Sequence, residues 1–263
     1  MQFDFSNKTA LVTGGSRGIG RAVALTLADY GMDIALCGRT VDSLESTAAE
    51  IRSRGVKAYP FQADVSRTQD IDKLIKQTLQ QSKCIDVLVN NAVTSTSARF
   101  DQLTDNEFRY HIDVKLIAYI RVARKVLQTM ATTGSGRIVN IGGMTARIVA
   151  PLRMTNGVVN AGVANFTKQF ANYAAQHNVT VNCVHPGYTA TERVQQIFER
   201  EALETNTSVE AVINSRTGDI PMGRLITPED IAATVLYFCS PLADMVTGQC
   251  IAVDGGSGEA IIY

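Results

Sequence analysis

The stretch TGGSRGIG (13–20) constrains the fold of this chain more than any other. It follows the apolar run TALVT (9–13) and leads straight into residues with helical spacing, so strand, tight turn and helix are joined without a linker. Further apolar or β-branched runs recur at DIALC (33–37), IDVLV (85–89), RIVNI (137–141), VTVNCV (179–184) and QCIAV (249–253). They are apolar throughout instead of alternating, as strands buried on both faces of a parallel sheet are. Between them, residues 42–53, 69–81, 105–132, 160–176 and 228–239 space their apolar side chains as helices do. Alternation of this kind predicts an α/β fold with a doubly wound parallel sheet.

The 263 residues suit one large domain, 1–263, with no repeat or linker. One excursion, 188–227, breaks the rhythm before the last helix, with Val194, Ile197, Phe198 and Leu203 on one possible helical face. A long insertion of this sort is expected to serve as a substrate lid.

Composition narrows the partners. With 25 basic and 25 acidic side chains there is no net field to draw nucleic acid or an anionic membrane, and 45% hydrophobic residues is ordinary for a globular protein. Met1–Lys8 has no apolar leader core and no later run is long enough to span a bilayer, so a cytoplasmic protein handling a small-molecule substrate is expected. Cys37, Cys84, Cys183, Cys239 and Cys250 form no CxxC pair and have no histidine at metal-ligand spacing, and they read as reduced core thiols with no metal. His111, His177 and His185 show no partner pattern.

In the glycine stretch, Gly14, Gly18 and Gly20 allow close approach of the backbone to a pyrophosphate, which then sits on the positive end of the first helix. The loop Gly14, Ser16, Arg17, Gly18, Ile19 and Gly20 is therefore the candidate dinucleotide cradle. An NAD(H) site would put a carboxylate at the end of the second strand, but this chain has Gly38 and Arg39 there. Arg39 with Arg17 favours the 2′-phosphate of NADP(H) over NAD(H); the same two arginines also read as solvated surface charges.

The chain resembles the short-chain dehydrogenases/reductases over essentially its whole length. The resemblance rests on TGGSRGIG (13–20), ADV (63–65), NNA (90–92), HPGYTAT (185–191) and DGG (254–256), in that order. It implies a seven-stranded sheet, with Asp64 and Val65 flanking an adenine and Asn90, Asn91 and Ala92 supporting the strand ends. It further implies that Pro186, Gly187 and Thr189–Thr191 meet the nicotinamide end, and that the protein is a homo-oligomer packed through the fourth and fifth helices.

Members of that family use a Ser after the fifth strand, a Tyr thirteen residues on, and a Lys in the same helix. Aligning on IVNI and NFTK puts Gly143, Asn156 and Asn160 at those positions, and the register of HIDVKL (111–116) puts Lys115 where a fourth family residue, an Asn, stands. Asn156 has no titratable proton, Gly143 no side chain and Asn160 no charge. Lys115 is then the candidate acid or oxyanion partner, although a lysine there also reads as a space-filler or a solvent-facing charge. Three functions remain open: an NADP(H)-dependent oxidoreductase of altered mechanism acting on a small carbonyl or activated C=C compound; an impaired member that partners an active relative in a hetero-oligomer; and a lyase or isomerase.

Overall fold

The computed structural model describes residues 4–258; the first three residues of the Met1–Lys8 segment and the last five of the predicted domain lie outside it. Seven parallel strands form one sheet in the order β3-β2-β1-β4-β5-β6-β7. They are β1 Thr9–Thr13, β2 Asp33–Gly38, β3 Ala58–Gln62, β4 Val87–Asn90, β5 Gly136–Ile141, β6 Val179–Pro186 and β7 Cys250–Val253. The helices are α1 Gly18–Asp29, α2 Val41–Arg52, α3 Thr68–Gln81, α4 Asp105–His111, α5 Ala118–Thr133, α6 Met154–Ala174, α7 Glu192–Thr205, α8 Val209–Gly218 and α9 Pro228–Cys239.

Both faces of the sheet are dry. Ala10 and Val12 of β1 join the side chains of α1, α2 and α9, whereas Leu11 between them joins those of α3, α5 and α6 on the opposite face. A central strand that faces two apolar layers is apolar along most of its length, hence the continuous apolar runs, and buried exceptions such as Asn90 and Asn182 are hydrogen-bonded, to Asn140 Oδ1 and to the Val246 carbonyl.

Strand β3 is the one that the apolar runs do not announce. It contains Pro60, which lacks an N–H, and it is tolerated because β3 is an edge strand paired only with β2. The helix expected over 105–132 is also subdivided: Ile112–Ile117 winds as a π-helical turn between α4 and α5. Thr104 and Glu107 form a capping box at its start and Gly134, at φ 66°, ends it.

The excursion at 188–227 holds α7 and α8, capped by Thr191 and Ser208. Phe198, Ala202 and Val212 form its small core with Val194 and Ile197 packed against it. Leu203, expected on the same face, instead points outward and is 83% exposed. Among the described residues, no helix is long and apolar enough to cross a membrane.

Candidate active site

The order of the strands reverses between β1 and β4, and a doubly wound sheet opens a crevice at that point. The turn after β1 and the end of β4 meet there. Asn91 Nδ2 donates to the carbonyls of Thr13 (3.1 Å) and Gly14 (3.0 Å), and Thr13 Oγ1 accepts from the N–H groups of Asn91 (2.9 Å) and Ala92 (3.2 Å). Gly14 and Gly18 have φ of +65° and +53°, and a Cβ on Gly20 would lie 2.2 Å from the Gly14 carbonyl oxygen. Any side chain at 20 would therefore break the turn. Ser16 is fixed through its carbonyl by Thr47 Oγ1, and Ile19 packs on the α1 side of the core.

Gly38 ends β2 beside Ser16, and Arg39 follows it, held by Gln62 Nε2 on its carbonyl. The Asp64 carboxylate turns back onto its own loop, accepting from Ser66 N (3.0 Å) and Ser66 Oγ (2.7 Å), next to buried Val65. At the far end, Gly187 follows Pro186 and lies against Asp254, and Thr189 Oγ1 donates to the Gly187 carbonyl at 3.1 Å. Thr191 caps α7, with its methyl 3.4 Å from the place a Cβ on Gly18 would occupy. The 188–227 excursion thus starts against the glycine turn. Arg193 Nη2 ties it to the Val93 carbonyl at 3.2 Å.

Among the described residues, Arg17, Arg39, Arg153 and Arg193 are not within ion-pair distance of any carboxylate. Partial desolvation, then the like charges of Arg17, Arg153 and Arg39, hold the Arg193 guanidinium below its ordinary pKa. Such a field selects for an anion.

The π-helical turn brings Lys115 inward. Lys115 is 5% exposed, and its Nζ donates to the Gly142 carbonyl at 2.8 Å; one turn on, Tyr119 Oη donates to the Ile141 carbonyl at 3.1 Å. Two donors of one helix thus satisfy the last carbonyls of β5. Burial pushes the Lys115 ammonium down to about 7, Cys183 opposes that fall, and Arg193 adds to it. Lys115 is therefore buried and hydrogen-bonded, not solvent-facing.

Gly143 follows at once, its N–H donating to His185 Nδ1 at 3.0 Å. A Cβ on Gly143 would sit 2.6 Å from Asn160 Nδ2, which donates to Thr145 Oγ1 at 2.8 Å, while the buried Asn160 Oδ1 has no partner among the described residues. Asn156, one turn earlier in α6, accepts from Ser95 Oγ at 3.4 Å. Beyond Thr145 an open groove of about 230 Å³ is lined by Ile148, Val149, Met154 and Val158. Gly143 and Asn160 are thus in contact, Asn156 lies one turn before Asn160, and Lys115 holds the carbonyl next to Gly143.

Two readings of single residues need correction. His185 has no partner pattern in sequence, yet it is buried with Cys183 and Cys250 beside it. Of the five free thiols, Cys37, Cys183 and Cys239 are core residues, but Cys84 and Cys250 are only half-buried. The missed signal was Cys183-x-His185, two residues on one face of a strand. His111 is a core residue that meets Thr96 Oγ1 at 2.8 Å, and His177 packs its ring edge against Tyr173.

A switch-point crevice, a glycine cradle and a sheet of this order define a dinucleotide-binding α/β enzyme fold. The chain belongs to the short-chain dehydrogenase/reductase family: residues 14–258 match the family model described as enoyl-(acyl carrier protein) reductase. It is 31% identical over 258 residues to the NADPH-dependent reductase BacG of Bacillus subtilis, covering 97% of this chain and 100% of that protein. It is 34% identical over 251 residues to a 3-oxoacyl-[acyl-carrier-protein] reductase of Synechocystis, covering 95% and 96%. Among solved structures it resembles an actinorhodin polyketide ketoreductase with NADPH, at TM-score 0.93 and 31% identity over 99% of this chain and all of that one.

Proposed function

We propose that this chain is an NADPH-dependent reductase of a small carbonyl or activated C=C compound in which Lys115 delivers the proton. The observation that carries the reading is the position of Lys115: buried, held by Gly142 and adjacent to Gly143, with a pKa near neutrality. In the family register Gly143, Asn156 and Asn160 stand in place of Ser, Tyr and Lys, so no hydroxyl acid serves the site from those positions.

The residues present fit NADPH. Gly14, Gly18 and Gly20 leave a cradle that a Cβ would fill, Arg17 and Arg39 lack carboxylate partners, and no carboxylate ends β2 to repel a 2′-phosphate. The pyrophosphate would lie on the start of α1 over Ser16 to Gly20. Asp64 and Val65 would flank the adenine, Asn91 and Ala92 would back the cradle, and Pro186, Gly187, Thr189 and Thr191 would border the nicotinamide. NADPH, when bound, supplies a hydride.

The protein's part is proton delivery and positioning. Nζ of Lys115 gives its proton to the substrate oxygen, and the Gly142 carbonyl keeps the amine aimed while it is neutral. The unpartnered Asn160 Oδ1 accepts from a hydroxyl in the site. The lid, latched by Arg193 on Val93, excludes water. Assembly as a homo-oligomer is part of the proposal, supported by apolar side chains left exposed on α4 and α6, Tyr110, Val158 and Tyr173.

The test is consumption of NADPH with a panel of small ketones, ketoesters and enones, by the unaltered protein and by Lys115→Met. Turnover that falls about 10²–10⁴-fold in the variant supports the reading. Silence of the unaltered protein throughout, with recovery from cells in complex with an active relative, replaces it by the partner function.

A further inference from the structure

Behind Gly142, on the side of the sheet edge, three groups meet that the proposed reduction does not use. Cys183 and Cys250 are directly paired residues of the parallel strands β6 and β7. Neighbouring strands run about 4.8 Å apart, inside the Cα separation that a disulfide spans. Their sulfurs and a ring nitrogen of His185 all lie within 4.8 Å of one another, and His185 Nε2 is 3.9 Å from Cys183 Sγ. Cys183 is buried and Cys250 half-buried, so the pair has an inner and an outer member.

Two sulfurs and an imidazole at this spacing suggest a zinc site, but the second nitrogen of the ring argues otherwise. His185 Nδ1 accepts the backbone N–H of Gly143 at 3.0 Å, and a backbone amide is only ever the donor. In the neutral ring the proton is therefore on Nε2, the nitrogen that faces the sulfurs. A metal-ligating histidine has the opposite arrangement, a lone pair toward the metal and an N–H on the far nitrogen toward an acceptor. Here the ring presents a hydrogen-bond donor to sulfur. A thiolate is what such a donor stabilises.

The cysteines divide that role unequally. The neighbouring Cys183 thiol lowers the Cys250 pKa; burial opposes this, and His185 and then Arg147 add to the lowering. Cys183 is raised in turn by the same neighbour and by burial, against a smaller pull from Lys115. The other charged group on the Cys250 side, Arg147, also donates to the Cys250 carbonyl.

We propose that Cys250 and Cys183 are a redox-active dithiol, in which a hydroperoxide oxidises Cys250 and Cys183 resolves it to a cross-strand disulfide. The Cys250 thiolate attacks one peroxide oxygen; an S–O bond forms, the O–O bond breaks, and the leaving alkoxide takes a proton from solvent as an alcohol. The Cys183 thiol then attacks the sulfenic sulfur; the S–S bond forms, the S–O bond breaks, and water leaves with the thiol proton. Two electrons pass from the two thiols to the peroxide. A Cβ on Gly142 would lie 2.3 Å from His185 Nδ1 and 3.0 Å from Cys183 Sγ, so this site shares a wall with the carbonyl that holds Lys115.

The test uses the full-length protein, purified reduced and treated with one equivalent of hydrogen peroxide, followed by mass mapping of the peptides. A loss of two hydrogens located in a Cys183–Cys250 crosslink, reversed by dithiothreitol, is expected. Cys183→Ser should instead leave Cys250 open to dimedone as a sulfenic acid, and Cys250→Ser should leave position 183 unmodified. If Cys183→Ser does not fold, alkylation of the unaltered protein decides: Cys250 should react with iodoacetamide at mildly acidic pH faster than half-buried Cys84. Oxidation of Cys84 ahead of Cys250, alkylation of the two at equal rates, or one equivalent of zinc retained through dialysis and lost in Cys250→Ser would each overturn the proposal.

Discussion

A Cβ built on Gly143 falls 2.6 Å from Nδ2 of Asn160, so the two residues exclude a side chain at one position by occupying its space from the other. The Asn160 amide is fixed in that place by Thr145 Oγ1. Gly143→Ser alone should therefore be poorly tolerated, costing about 1–3 kcal/mol by overpacking. Urea denaturation of Gly143→Ser, and of Gly143→Ser with Asn160→Ala, checks this: the second change should recover most of the loss.

The same pair shapes the outcome of restoring the family's relay. Gly143→Ser, Asn156→Tyr and Asn160→Lys made together remove the clash and bring in a hydroxyl acid. Lys115 is already charged and buried nearby, and a second lysine at 160 would repel it. The triple variant should thus lose the native turnover yet gain reduction of simple activated ketones. Adding Lys115→Asn should raise that gained activity further, which steady-state assays with both substrate types would measure.

In the proposed mechanism Lys115 sets the pH dependence. As a proton donor with a pKa about 7, it is lost as pH rises through that value, so kcat should fall above neutrality in the unaltered protein. In Lys115→Met the residual rate should be flat over the same range. The pH profile of kcat under saturating NADPH is the measurement.

Stability should move the other way. The folded-state pKa is depressed from its ordinary value of 10.5, so between about 7 and 10.5 the unfolded chain binds more protons and the protein gains stability from this group as pH rises. Lys115→Met removes a buried cation but leaves the Gly142 carbonyl without its donor. It should be more stable than the unaltered protein by about 1–2 kcal/mol below neutrality, and because the linkage returns about 1.4 kcal/mol per pH unit above 7, the difference should reverse sign toward pH 10. Denaturation midpoints across pH test it.

Cofactor preference should follow the two arginines. Arg39→Ala removes a charge-assisted contact to a 2′-phosphate and should weaken NADPH binding about 10–100-fold while leaving NADH nearly unchanged. Gly20→Ala, whose methyl would meet the Gly14 carbonyl, should abolish binding of both. Calorimetric titration separates the two effects.

What could be read in advance had a local cause. The glycine turn and the buried strands follow from short runs of chain whose spacing fixes their geometry, whereas Gly143, Asn156 and Asn160 are singled out only by the family resemblance. Strand β3 escaped because Pro60 argues against a strand anywhere except at an edge, and edge status is a property of the whole sheet. The dithiol escaped for a similar reason: Cys183 and Cys250 are 67 residues apart in sequence and meet only through the register of β6 on β7. The depressed Lys115 pKa comes first from burial, which needs the π-helical turn packed against the end of β5.

The π-helical turn at Ile112–Ile117 has one further consequence. Widening a helix for one turn shifts the angular phase of everything beyond it, so α4 and α5 present faces that are out of step although they form one continuous rod. Lys115 lies in the phase slip and belongs to neither face. Substitution there should leave the packing of α5 on α3 in place, so the group that this turn presents to the end of β5 is separable from the scaffold that carries it.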